Sequence, residues 1–262
     1  LFDMMISLFL DVLSTNLYIV LLFFIVAVLY SSVGFGGGSS YLAVLALTGL
    51  LFTQIRATAL LCNVMVVTGN VLLYMQQKQY NWKKVIPLTL FSIPMAFLGG
   101  YLRISQTFFF ILLGFTLLFA AITMWSSNKV VTNSNKTTDL NIAKNAGYGG
   151  IIGFISGMVG IGGGIFLAPL LHLTNWDTPK KIAATASFFI LVNSISGLIG
   201  QYVNPEFSID WKLTSILLIT VFIGGQIGSR MSNQFFNSTQ LKKATAILIA
   251  FVSIRILIKY LY

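Results

Sequence analysis

Two glycine runs are the residues best suited to chemistry in this chain, Val33-Gly34-Phe35-Gly36-Gly37-Gly38 and Val159-Gly160-Ile161-Gly162-Gly163-Gly164. Glycines at a turn permit positive φ and leave backbone N–H groups that no side chain screens. A helix that begins directly after such a turn, as expected near Ser39 and near Ile165, carries unpaired amides and roughly half a positive charge at its start. Two such helix starts in apolar surroundings suit the binding of an anion. Ser39 and Ser40 add hydroxyl donors behind the first run, whereas Ile165 and Phe166 add none behind the second.

The stretch after each run supplies further neutral donors: Thr58, Asn63, Thr68 and Asn70, then Thr185, Ser187, Asn193, Ser194, Ser196 and Gln201. Such groups can donate to an oxyanion without formal charge, although hydrogen bonding between helices is their commoner role in a membrane. Thr58 and Thr185 stand out because they occupy equivalent places behind the two runs. The candidate substrate-binding set is Gly36, Gly37, Gly38, Ser39, Ser40, Thr58, Asn63, Gly162, Gly163, Gly164, Thr185, Ser187 and Asn193. Close helix packing is the competing role for these glycines and the one expected of Gly99-Gly100 and Gly224-Gly225. Bulk at Gly37 or Gly163 is expected to abolish the function these turns serve and to leave expression intact.

No catalytic residue, metal site or cofactor is expected. The chain has one histidine and one cysteine, His172 and Cys62, and its six acids fall near the termini or in loops. A membrane enzyme would need a catalytic constellation, and a carboxylate-driven proton antiporter or cation channel would need a midplane acid. Arg56, Arg103 and Arg230 sit at segment ends, where snorkelling to the interface is the default.

The elements that position these residues follow from composition. Of 262 residues 56% are hydrophobic and only 8% charged, with 16 Lys plus Arg against 6 Asp plus Glu and a net charge of +10. A soluble domain has about 25% charged residues, so the chain reads as a multi-pass protein of the cell (inner) membrane. The cations are scattered singly and in pairs, which argues against nucleic acid. No cleaved signal peptide is expected. Apolar segments lie at roughly 5–33, 39–51, 54–77, 84–102 and 106–125, then at 146–160, 165–173, 181–203, 211–229 and 239–261. A spanning segment must satisfy its own backbone, so the fold class is an all-α polytopic membrane protein.

The two sets of five segments match. The glycine runs align at an offset of 126, Ala57-Thr58-Ala59 aligns with Ala184-Thr185-Ala186 at 127, Trp82-Lys83 with Trp211-Lys212 at 129, and Phe97-Leu98-Gly99-Gly100 with Phe222-Ile223-Gly224-Gly225 at 125. The reading is a duplication: a first transmembrane repeat over 1–125, a polar cytoplasmic linker over 126–145 and a second transmembrane repeat over 146–262. Eleven of the sixteen cations fall in four loops: Lys78, Lys83 and Lys84; Lys129, Lys136 and Lys144; Lys180 and Lys181; Arg230, Lys242 and Lys243. Placing all four in the cytoplasm gives each half an odd number of crossings. The halves are then an inverted repeat, with both termini outside the cytoplasm. In the second half the segments flanking the glycines hold about 15 and 9 residues, ~22 and ~14 Å as helix, short of the ~30 Å hydrocarbon core. Each glycine turn is therefore expected within a helix hairpin, re-entrant or broken, with both turns near the midplane.

The glycine turns, the Ala-Thr stretches behind them and the duplicated five-segment pattern resemble the sulfite exporter TauE/SafE family of membrane transporters over essentially the whole chain. Gly160-Ile161-Gly162-Gly163-Gly164-Ile165-Phe166-Leu167-Ala168-Pro169 fits the family's G-x-G-G-G-x-x-x-x-P form, and Ala43 stands where the first copy would have proline. Ala184-Thr185-Ala186-Ser187 resembles the family's Ala-Thr-Ser stretch; Thr58-Ala59-Leu60 keeps the threonine alone. The resemblance implies transport, usually outward, of small sulfur-containing anions such as sulfite, sulfoacetate or other organosulfonates. Read from the residues, the chain is an anion carrier with a neutral midplane site and alternating access. The alternative is an anion channel, or a carrier for a non-sulfur carboxylate or an inorganic anion. The expected partners are the substrate and the lipid bilayer, and one sequence leaves homodimer formation open.

Overall fold

A computed structural model describes residues 14–32, 34–126, 142–174, 176–231 and 238–261. Residues 5–13 of the first expected segment, with Asp3 and Asp11, lie outside the described residues, as do Val33 and the linker over 127–141. Among the described residues there are ten helices and no strand: α1 Leu17–Ser32, α2 Gly38–Leu45, α3 Phe52–Gln76, α4 Trp82–Tyr101, α5 Gln106–Ser126, α6 Ile142–Val159, α7 Gly164–Leu173, α8 Pro179–Tyr202, α9 Trp211–Arg230 and α10 Ser238–Leu261. Five are long and apolar enough to cross a membrane: α3, α4, α5 over Gln106–Thr123, α8 and α9. Local chemistry sets several boundaries. Asp210 caps α9 by accepting from the Lys212 and Leu213 amides at 3.0 and 3.3 Å, and Pro179 opens α8, where its missing N–H costs nothing.

The glycine runs end α1 and α6 and start α2 and α7. With eight and ten residues, α2 and α7 are about 12 and 15 Å long and cannot span. Among the described residues the helices before them have sixteen and eighteen residues.

Helix partners exchange between the halves. The main pairings are α4 with α6, α5 with α10 and α9 with α1, then α4 with α8, α3 with α8 and α9 with α3. Swapping each helix for its repeat counterpart returns the same set. Bare backbone makes two of these pairings close. Gly149, Gly153 and Gly157 of α6, four residues apart, lie against the carbonyls of Leu88, Ser92 and Ala96 of α4, and Gly224 and Gly228 of α9 lie against those of Phe24 and Val28. This is the small-residue packing by which helices approach in lipid, and Gly99 and Gly100 share in it, against the carbonyls of Phe154 and Gly197. Gly157→Leu has no space beside Ala96 and is expected to destabilise the fold by roughly 2 kcal/mol or more, read as a lower unfolding midpoint in detergent; an unchanged midpoint would count against this packing.

The two central helices, α3 and α8, run antiparallel. Gly34 lies against both Tyr74, near the end of α3, and Ala183, near the start of α8, whereas Gly197 lies against Leu60. Two sets of contacts mark the ends of the molecule. At one end Lys84 Nζ donates to Trp176 O at 2.6 Å and approaches Asp177 at 4.0 Å, Lys181 approaches the same carboxylate at 3.7 Å, and Trp176 Nε1 donates to Asn145 at 3.3 Å. At the other end Thr53 and Ser208 share a hydrogen bond of 3.1 Å, and Asn204 donates to Tyr101 O at 3.4 Å.

Candidate functional site

Both glycine runs end a helix in the same way. Gly34 and Gly160 have φ of +85° and +88°. The amide after each reaches back, Phe35 N–H to Tyr30 O at 2.8 Å and Ile161 N–H to Ser156 O at 3.2 Å, which satisfies carbonyls that a helix end leaves open. Beyond three non-helical residues, Gly37 and Gly163 precede α2 and α7 with φ of +83°, a conformation that costs any other L-residue about 1–2 kcal/mol. The first turn of α2 closes with Tyr41 N–H to Gly37 O, and that of α7 with Leu167 N–H to Gly163 O, both at 3.0 Å. By helix geometry the amides of Gly38, Ser39 and Ser40 precede the first such bond in α2, and those of Gly164 and Ile165 lead α7.

The two turns meet at Asn63. Its Nδ2 donates to Ile161 O in the other half's turn at 2.8 Å, while its Oδ1 is fully buried without a partner. The Asn63 amide fills the space a side chain would take at Gly36, Gly38 and Gly162, so four of the candidate residues come together there. Gly38 also lies against Ile161 O, and its counterpart Gly164 lies near Phe35 and tightly against Ile190. Ile190 is the repeat counterpart of Asn63 at the offset of 127, so the centre is polar on one side and apolar on the other. Helical periodicity lays Asn63, Val67, Asn70 and Tyr74 along one face of α3. Each meets the first hairpin, at Gly36 and Gly38, at Gly36, at Ser31 and at Gly34 respectively.

Ser194 joins this centre. Its buried Oγ has no partner and lies beside Gly162, next to Asn63. Ser194 is absent from the candidate set, which took its neighbour Asn193 instead; the signal was the seven-residue spacing from Ser187, which puts Ser187, Ile190 and Ser194 on one face of α8. Asn193 Nδ2 is bonded to Phe189 O of its own helix at 2.8 Å, and its Oδ1 is buried without a partner.

The other candidates have identifiable work elsewhere. Ser187 Oγ donates to Gly34 O and so ties α8 to the first turn. Ser40 Oγ donates to Tyr30 at 3.0 Å, behind that turn, and Ser39 is buried beside it in α2. Gly37 and Gly163 face backwards, towards Val26 and Tyr41 and towards Phe189 and Ile152. Thr58 shares a hydrogen bond of 2.9 Å with Thr214 of α9, and Thr185 donates to Lys181 O of its own helix at 2.8 Å. Their equivalence by sequence is therefore not an equivalence of contact, because Val85 stands in α4 where Thr214 stands in α9. Arg56 departs from the expected snorkelling: it is 3% exposed, with Nη2 directed at the carbonyls of Gly99, Gly100 and Gly157.

The centre thus joins backbone amides at two helix starts, one carboxamide and one hydroxyl, all neutral and shielded from solvent and lipid. A family model described as "Sulfite exporter TauE/SafE" matches residues 19–256. A protein of Sinorhizobium fredii named as a probable membrane transporter is 32% identical over 243 residues, 90% of this chain and 95% of its own length. A similarly named protein of Methanocaldococcus jannaschii is 25% identical over 167 residues, 60% of this chain and 61% of its own length, and one of Bacillus subtilis is 27% identical over 89 residues, 34% of this chain and 32% of its own. No solved structure matches the chain. The match covers both halves, both glycine turns and every helix of the central packing: the chain is a membrane transporter, not an enzyme, and belongs to the sulfite exporter TauE/SafE family.

Proposed function

We propose that this protein carries small sulfur-containing anions, such as sulfite, sulfoacetate or other organosulfonates, out across the cell membrane by alternating access. The anion binds where the two glycine turns meet. The observation that carries this reading is Asn63, which contacts both turns and whose Nδ2 gives one hydrogen to Ile161 O and has a second to offer an anion. A sulfonate or sulfite group spreads its charge over three oxygens, which suits many weak donors; a strong ion pair would hold a substrate that must also leave. The family's printed description supports sulfite as the first substrate to test. Within this reading Gly36, Gly38, Asn63, Gly162 and Ser194 contact the anion, and Gly37, Gly163 and Ser187 hold the turns.

The antiparallel course of α3 and α8 and the exchanged helix partners support halves of opposite orientation. Gly34 sits near the end of α3 and Gly160 against Arg56 near its start, which supports approach of the hairpins from opposite faces. The end that joins Lys84, Lys181, Trp176 and Asn145 also brings together the lysine-rich loops and is assigned to the cytoplasm. Glu206 and Asp210 then face outward, and both chain termini lie outside. Cysteine labelling with a membrane-impermeant reagent tests this, since Cys62 is buried and silent. Glu206→Cys is expected to react in intact cells and Gln77→Cys only after lysis; the reverse pattern would invert the assignment.

Counterflow in proteoliposomes tests the function. Internal unlabelled sulfite or sulfoacetate is expected to accelerate entry of the labelled anion. Entry without trans-stimulation would favour an anion channel, and stimulation by a carboxylate alone would reject the sulfur-anion reading.

A further inference from the structure

Arg56 is a buried cation that the central site does not use. It lies in the first turns of α3, at the end of the molecule marked by Thr53 and Ser208 and opposite the lysine-rich loops. Its side chain enters a crossing of α3, α4, α6 and α8 built on glycine, with Gly99, Gly100, Gly157, Gly197 and Gly200 all closely approached by neighbouring backbone. Nη2 is 3.5, 3.4 and 3.3 Å from the carbonyls of Gly99, Gly100 and Gly157, each at the long limit of a hydrogen bond, and Nε is buried with no partner. Among the described residues no carboxylate forms an ion pair with it; Asp177 pairs only with Lys84 and Lys181. A guanidinium keeps its charge in almost any surroundings, and a buried charge without a counter-ion is strongly disfavoured.

We propose that Arg56 is a second anion-binding position, where a small inorganic anion supplies the missing counter-charge at the Nε edge. Seven residues separate Arg56 from Asn63 along α3, about 10 Å, and the second glycine turn spans that interval, with Gly160 against the Arg56 backbone and Gly162 against Asn63. An anion leaving the centre on this side therefore passes from neutral donors to a full positive charge. The other side has no equivalent, because the repeat counterpart of Arg56 is Ala183. Arg56 is thus a buried charge on one side of the centre that the second half does not repeat. The proposal extends the transport reading, yet it holds whether or not the central site is the anion site assigned above.

The test uses the purified full-length protein in detergent with sodium gluconate as background, titrated separately with chloride and with sulfite. The unfolding midpoint of the wild type is expected to rise by several degrees; a rise with both salts identifies any small anion as the ligand, and a rise with sulfite alone identifies the substrate. Arg56→Gln, which keeps the shape and removes the charge, is expected to lose the chloride response and to raise the KM for sulfite about 10- to 100-fold. Asn63→Ile, which alters only the centre, is expected to keep the chloride response, so failure of the central site and failure of this one are separable. A folded Arg56→Gln protein with the wild-type chloride response would overturn the proposal and leave Arg56 as a tie between helix carbonyls. Should that variant not fold, bromide-soaked crystals of the wild type decide: an anomalous peak within hydrogen-bond distance of Arg56 Nε is expected, and its absence overturns the proposal.

Discussion

Gly162→Val is expected to reduce counterflow to the level of empty liposomes while the protein still reaches the membrane in near-normal amount. Gly162 has φ of +83°, so any side chain there costs about 1–2 kcal/mol of backbone strain, and β-branching adds to it. Its missing side chain faces Asn63 Nδ2, Ser194 Oγ and Ile190, all within 3.0 Å of where a Cβ would stand. Valine would therefore fill the point where the two turns meet. The helix crossings that hold the protein together, α4 on α6 and α9 on α1, lie elsewhere, which is why folding is expected to survive. Gly37→Val and Gly163→Val strain the backbone equally, but their side chains would press on Val26 and Phe189 behind the turns. They are expected to impair transport through turn position and leave some binding. The measurement is initial counterflow rate per membrane-inserted protein, and a Gly162→Val rate within twofold of wild type would reject the proposed site.

The second large effect is expected at Asn63. Asn63→Ile installs the residue that the other half carries at its counterpart, Ile190. It removes the 2.8 Å bond to Ile161 O and strips that carbonyl of its partner, a loss of about 1–3 kcal/mol in stability. It also removes the one carboxamide at the meeting point. A hydrogen bond to a charged group contributes about 1.5–3 kcal/mol, so anion affinity should fall about 10- to 100-fold. Asn63→Asp keeps the volume and adds a negative charge, and is expected to abolish anion binding altogether. Thr58→Ala is the contrasting case: it removes a hydrogen bond to Thr214 between helices, worth about 0.6 kcal/mol by the membrane average, and should leave affinity unchanged. Equilibrium binding of sulfite to the three purified variants distinguishes these outcomes; equal affinities for Asn63→Ile and Thr58→Ala would remove Asn63 from the site.

Much of the fold was legible from local signals. The ten apolar segments anticipated the ten helices among the described residues because hydrophobic length and glycine placement are properties of short stretches of chain. Gly37 and Gly163 sit at matching helix starts with matching φ because the same six-residue pattern was written twice. The placement of the candidate glycines at turns before short helices follows from this as well. The side chains beside it were harder to choose. Thr58 and Thr185 were favoured because the repeat aligns them, yet a repeat copies position along a helix and not the residue opposite.

The chain order of residues was enough to establish a polytopic helical membrane protein and two short helices behind glycine turns, since each rests on composition or on spacing along one segment. The packing of α3 against α8 selected which polar groups act together. It set Asn63 of the first half against the second half's turn, brought Ser194 beside Gly162, and buried Arg56 among glycine carbonyls where its position at a segment end suggested exposure. Contacts between residues a hundred positions apart depend on the rotation and depth of whole helices. Those are set by the summed packing of many apolar and glycine faces, which leaves no mark on any single stretch of sequence.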